Sequence, residues 1–398
     1  MTGPAVTGPF GLGTALAERE QAGLLRNRIA TDGASGGRLR VAGREYLNFS
    51  ANDYLGLADH PAIKTAFNAG IERYGAGSGA SPLVTGYSRA HQQLEETLAE
   101  WLGVEAVLLF NCGFSANQAV LKALLGKEHL LWQDKLNHAS LQEMGSQLPC
   151  KMKRFAHNDM AALERQLEPN RGLIVSEGVF SMDGDQAPWG ELAALAARSG
   201  NWLMIDDAHG LGVLGPERRG TLAAQGVPPA SVHIQMGTFG KALGVAGAFV
   251  GGSRELVEYL VNFARHYVYS THMPAAQACA VSKSIELVRA ADEARAHLGQ
   301  LIVRFRQGAK AQGWQLGASD TPIQPLLVGE SSVAMQLAER LRERGVWVSA
   351  IRPPTVPVGT ARLRITLSAA HREQDVDRLL DALGVCPPAT TLGETHRD

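Results

Sequence analysis

The chain has 398 residues, 45% hydrophobic and 19% charged, an ordinary globular balance that argues against wholesale disorder. Its formal net charge of -1, with no basic stripe interleaved with aromatics, argues against a nucleic-acid or anionic-membrane partner. Cys112, Cys150, Cys279 and Cys386 are far apart and form no C-x-x-C, so neither a metal site nor a disulfide framework is indicated. With no secretory leader pattern and no run of about 18 apolar residues, the chain reads as soluble and cytoplasmic.

After a loose start, residues 14–28 read as an amphipathic helix, followed by strand-like pieces at 38–43 and 45–50. Helices are predicted at 61–74, 90–103, 114–125 and 189–200. Between and after them lie short apolar runs at 106–111, 129–133, 173–178, 202–207, 233–237 and 246–251. These runs are continuously apolar rather than alternating, as strands covered by helices on both faces would be. Repeated β-then-α units imply a mostly parallel sheet with right-handed crossovers. Near residue 290 the texture becomes helix-rich and charged through 313. Strands at 323–329, 347–351 and 362–367 and helices at 331–345 and 371–384 then read as a smaller α+β domain. The 331–345 helix has Ser331 as its expected cap and Gly345 as its stop. The expected division is therefore 1–55 (helix and short strands), 56–288 (large α/β domain), 289–385 (small domain) and 386–398 (a frayed tail).

The glycine cluster GAGSGAS at 75–81 does not carry a dinucleotide fingerprint, because it follows a helix rather than a strand. More informative is IDDAHG at 205–210, which puts Asp206 and His209 just past an apolar strand, where parallel sheets hold their ligands. Singly, each also reads as an N-cap aspartate and a hydrogen-bonded histidine. GTFGKALG at 237–244 adds Lys241 after another strand of the same sheet; alone, it also reads as a snorkelling lysine in a surface turn. Together the three suit pyridoxal 5'-phosphate (PLP): the lysine forms an imine with the aldehyde, and a carboxylate keeps the pyridine nitrogen protonated. A phosphate fits the helix start at Gly113 and Phe114, with the Thr238 hydroxyl beside it. His138 follows a strand and either lies against the ring face or simply begins a helix.

The motifs YLNFSANDYLGL, GSGASPLVTGYS, NCGFSANQAV, LNHASLQE, SEGVFSMDGDQAPW, IDDAHGLGVLG, TFGKALG, YVYSTHMP and RPPTVPVGTARLRITLSAAH span about 45 to 385. Jointly they resemble the α-oxoamine synthase family, fold-type I PLP-dependent transferases that condense an amino acid with an acyl-CoA and release carbon dioxide. The resemblance implies a mostly parallel seven-stranded sheet covered by helices, and a homodimer. It makes Lys241 the cofactor lysine and Cα proton carrier, and Asp206 the partner of the ring nitrogen. His209 and Ser181 fall near the ring's phenolic oxygen and His138 on its face. Gly113, Phe114 and Thr238 hold the phosphate, joined by Ser270 and Thr271 from a partner subunit. Asn52 and Arg364 are placed by the amino-acid carboxylate; Arg26, on the N-terminal helix, and Thr355 are placed on the acyl side. Within the family, RFAHND, VFSMDGD and IRPPTVPVGTARLR are closest to members that join L-alanine to pimeloyl-CoA (6-carboxyhexanoyl-CoA) in biotin biosynthesis. Another acyl transfer, such as glycine C-acetyl transfer, and a non-catalytic PLP-binding protein are the alternative readings.

Overall fold

The computed structural model describes residues 10–34 and 36–386; of the tail expected from 386 onward, only Cys386 falls among them. Thirteen strands follow in chain order: β1 (Arg38–Val41), β2 (Arg44–Asn48), β3 (Ala106–Phe110), β4 (Leu130–Asp134), β5 (Lys151–Phe155), β6 (Gly172–Glu177), β7 (Trp202–Asp206), β8 (Ile234–Thr238), β9 (Ala248–Gly252), β10 (Ile323–Gly329), β11 (Val346–Trp347), β12 (Ser349–Ile351) and β13 (Ala361–Thr366).

Seven of them form the central sheet, in the order β3-β9-β8-β7-β6-β4-β5. Its strands are parallel except β9, which runs antiparallel to both neighbours. The apolar run at 246–251 gave no sign of this reversal, because an apolar strand looks the same in either direction. The sequence reading also passed over β5. Its KMKRF mixes three charged residues with two apolar ones at the sheet edge, where a covered strand's continuous apolar run is not required. Both sheet faces carry fully buried side chains, with Leu131, Val175 and Met204 in one cluster and Trp132, Ile174 and Leu203 in another. Burying both faces explains the continuous apolar runs.

Two smaller sheets flank the central one. β10-β13-β12 is antiparallel, and β1-β2-β11 joins residues from both chain ends through the parallel pairing of β2 with β11. The apolar run at 347–351 thus splits between two sheets. The expected N-terminal helix to residue 28 is shorter: it spans Leu12–Gln21 and stops at Gly23, whose φ of 64° is left-handed. Ser331 is the first helical residue rather than the cap; Glu330 occupies that position with no side-chain cap. The charged stretch after 285 breaks at Ala290 and Ala291 between two helices, Ala275–Arg289 and Asp292–Ala311.

Candidate active site

Parallel strands that end together deliver their next residues to one edge. β6 and β7 pair in register so that Glu177 lies opposite Asp206. Beyond β8, the loop that reverses into β9 carries Lys241 back over the same edge. Gly244 permits this return: its φ is 65°, and a Cβ there would come within 2.5 Å of the Ala58 nitrogen. Gly240 meets no comparable obstacle, so the loop's need for glycine lies at Gly244, against Leu57 and Ala58, rather than beside the lysine.

These elements enclose a cavity of about 170 Å³. Lys241, Asp206, His209, His138, Gly113, Phe114 and Thr238 all line it. Asp206, only 4% exposed, accepts from Asn117 Nδ2 at 2.8 Å and from the Ala208 amide at 3.1 Å. His209 Nδ1 lies 2.5 Å from the Tyr54 hydroxyl. Burial, then the charges of Lys241 and Arg364, push the His209 imidazole well below its usual range, so it is neutral. Burial also lowers Lys241 to about 8, against the pull of Asp206 and Glu177. A lysine held there has free amine available near neutral pH, as an aldehyde-capturing group requires.

The helix Gly113–Leu124 opens on the cavity with no side-chain cap at Cys112. Its first amides remain available to an anion, and Thr238, whose hydroxyl donates to the Gly247 carbonyl at 2.8 Å, stands beside them. Phe114 meets His138 edge-on, with ring centroids 6.4 Å apart. His138 caps the Ala139–Gln147 helix, as one of its two sequence readings had it, and its ring borders the cavity.

The other expected residues lie outside the cavity lining. Arg364 is buried, and its Nη1 and Nη2 both donate to Asn52 Oδ1 at 3.2 Å, while Nε donates to the Ser181 carbonyl at 2.6 Å. Thus Asn52, Arg364 and Ser181 form one cluster, tied toward His209 through Tyr54, whose hydroxyl also reaches Asn52 Oδ1 at 3.4 Å. Ser270 and Thr271 do not line their own chain's cavity; the Thr271 carbonyl accepts from Asn111. Thr355 is exposed. Arg26 is exposed beyond the end of the N-terminal helix, which corrects its expected helical placement; the stop at Gly23 is the reason.

Sequence reasoning assigned no role to Asn117, Ser140, Glu177 or Tyr54. Glu177 is 2% exposed, lines the cavity and has Oε1 buried without a partner. Burial and the neighbouring Asp206 raise it well above the usual carboxylate range. The signal was available: a carboxylate closing an apolar strand, as Asp206 does. Asn117 lies one turn into the helix that opens at Gly113, on the side facing the cavity.

An uncapped helix start, a buried carboxylate and a lysine with available free amine, around orphaned polar atoms at Glu177 and Asn117, match the phosphate, ring nitrogen and aldehyde of PLP. Comparisons agree. The model of the family "Aminotransferase class I and II" matches residues 44–383. The chain is 89% identical over 396 residues, covering 100% of both chains, to an 8-amino-7-oxononanoate synthase of Aeromonas hydrophila. It is 52% identical to that of Cronobacter sakazakii, over 93% of this chain and 96% of the relative. A solved serine palmitoyltransferase carrying PLP superimposes with a TM-score of 0.89 at 26% identity, covering 96% of this chain and 98% of that one.

Proposed function

The chain belongs to the 8-amino-7-oxononanoate synthases within aminotransferase class I and II, and we propose that it condenses L-alanine with pimeloyl-CoA to 8-amino-7-oxononanoate, CoA and carbon dioxide. It is a PLP-dependent acyltransferase of biotin biosynthesis. The observation that carries the mechanism is the convergence of Lys241, Asp206, His209 and His138 on one cavity opened by an uncapped helix.

When bound, PLP supplies an electron sink for charge that develops at the alanine Cα. Lys241 Nζ would anchor it and carry the proton of the alanine Cα. Asp206, its oxygens held by Asn117 and the Ala208 amide, would hold the ring nitrogen and keep it protonated. Neutral His209 and Ser181 would hold the phenolic oxygen, and His138, at the cavity border, would lie beside the ring. Gly113, Phe114 and Thr238 receive the phosphate. Arg364, braced by Asn52, meets the alanine carboxylate.

Arg26 and Thr355 are assigned to the acyl side, where an arginine fork matches a terminal carboxylate. We assign Ser270 and Thr271 to the phosphate of a second copy, giving a soluble, cytoplasmic homodimer with shared sites. Supporting this, Phe263 and Tyr269, just before them, are 60% and 70% exposed, as aromatics awaiting an interface would be. No helix among the described residues is long and apolar enough to cross a membrane. On this reading residues 56–288 hold the cofactor, and 289–385 bring Arg364 to it.

The test is CoA release with alanine, glycine or serine against pimeloyl-, acetyl-, succinyl- and palmitoyl-CoA. Alanine with pimeloyl-CoA is expected to be the preferred pair. Preference for glycine with acetyl-CoA would reassign the substrates, and no release from any pair would leave a PLP binder without this chemistry.

A further inference from the structure

Three elements meet in a chain of hydrogen bonds along the wall of the cavity. Asn117 Nδ2 donates to Asp206 Oδ2 at 2.8 Å and to Ser140 Oγ at 2.9 Å, and Ser140 Oγ lies 2.8 Å from His138 Nδ1. Asn117 is 1% exposed and Ser140 0%, so the asparagine amide and the serine hydroxyl are shielded from water, while His138 is exposed.

Their direction is forced. A carboxylate only accepts, so Asn117 must turn its NH2 group toward Asp206. The same group donates to Ser140 Oγ, which leaves the serine hydroxyl to donate onward to His138 Nδ1. The Ser140 amide also donates to Nδ1, at 3.2 Å. A ring nitrogen facing two donors carries no proton, and a neutral imidazole then holds its proton on Nε2. Flipping the Asn117 amide would set its oxygen against Asp206. In the observed orientation that oxygen is buried without a partner, a cost consistent with the carboxylate dictating the choice.

We propose that Asn117 and Ser140 are positioning residues through which Asp206 fixes His138 as the neutral Nε2–H tautomer, with its remaining donor free for the PLP cavity. This rests on the reading of the cavity as the PLP site. The ionisable groups around His138 are Asp206, Glu177, Lys241 and the neutral His209. Burial and Lys241 lower its proton affinity and Asp206 raises it. The hydrogen-bond chain adds to the neutral side, and a neutral ring lies against a protonated pyridine without like-charge repulsion.

The test uses holoenzyme with ¹⁵N-labelled histidine, the His138 signal being assigned by its loss in His138→Gln. At neutral pH, Nδ1 is expected to be unprotonated and Nε2 protonated. Ser140→Ala removes a donor that favours the unprotonated nitrogen, so the His138 midpoint should rise by about one pH unit, the effect of one hydrogen bond. The acidic limb of kcat should rise with it. Asn117→Ala frees the serine hydroxyl to turn away and should move both midpoints in the same direction, covering the case in which Ser140→Ala does not fold. A proton on Nδ1 in the wild type, or unmoved midpoints in the folded variants with the PLP visible band intact, would overturn the proposal. Absence of that band in the wild type would instead remove the PLP reading itself.

Discussion

Arg364 and Asn52 are joined two-to-one: both terminal nitrogens of the guanidinium converge on the single Oδ1 of the asparagine, each at 3.2 Å. The remaining partners of Arg364 are the Ser181 carbonyl and the Thr366 hydroxyl, and no carboxylate among the described residues lies within ion-pair distance of it. A buried cation satisfied only by neutral oxygens keeps its charge for an incoming anion. Arg364→Ala is therefore expected to weaken alanine binding by about 10- to 150-fold, the value of about 1.5–3 kcal/mol for a charge-assisted hydrogen bond. Asn52→Ala should do less, since it loosens the fork without removing it. Spectral titration of the holoenzyme with alanine measures both, and an unchanged affinity in Arg364→Ala would remove the carboxylate role.

Lys241 is held at about 8, below the ordinary 10.5. Capture of PLP by the apoprotein needs the free amine, so its rate should rise about tenfold per pH unit below 8 and level off above. Stopped-flow absorbance records this profile. Continued rise to pH 10 would mean that the lysine titrates normally. Lys241→Ala should bind PLP without forming the borohydride-fixable adduct.

For Asp206→Asn, the cofactor should still bind and still be fixed to Lys241, because neither step needs the carboxylate. Turnover should fall on the order of 10³-fold, since the ring nitrogen is no longer kept protonated. Steady-state CoA release and the visible spectrum separate the two effects. Near-normal turnover would refute the role given to Asp206.

Away from the cavity, His157 bridges Asp134 at 3.0 Å and Asp185 at 2.7 Å. Burial works against its charge, but hydrogen bonds and attraction from the two aspartates outweigh that and raise it from 6.5 to about 10. Between those values the folded chain holds one more proton here than the unfolded chain, so stability falls with rising pH. The contribution is fully present below pH 6.5 and lost as the pH rises through 10. Denaturant unfolding across this range should show the slope in the wild type and lose it in His157→Asn. Parallel curves for the two proteins would show that the bridge does not titrate as described.

What the sequence determined by itself is the set of short-range facts. Apolar runs such as 202–207 announced strands covered on both faces, and Pro61–Tyr74 and Ile323–Gly329 kept the bounds read from periodicity and punctuation. Asp206, His209 and Lys241 were legible because each follows such a run, and strands of a parallel sheet end at one edge. Tertiary structure alone decided what depends on register and direction. The reversal of β9 brings Lys241 back over the sheet edge, and the opposition of Glu177 to Asp206 comes from pairing between strands 29 residues apart. The meeting of Asn117 with Asp206, or of Arg364 with Asn52, joins residues 89 and 312 positions apart. Residue type and local spacing carry no information about partners that distant, because side-chain periodicity reports which face is buried and never what it is buried against.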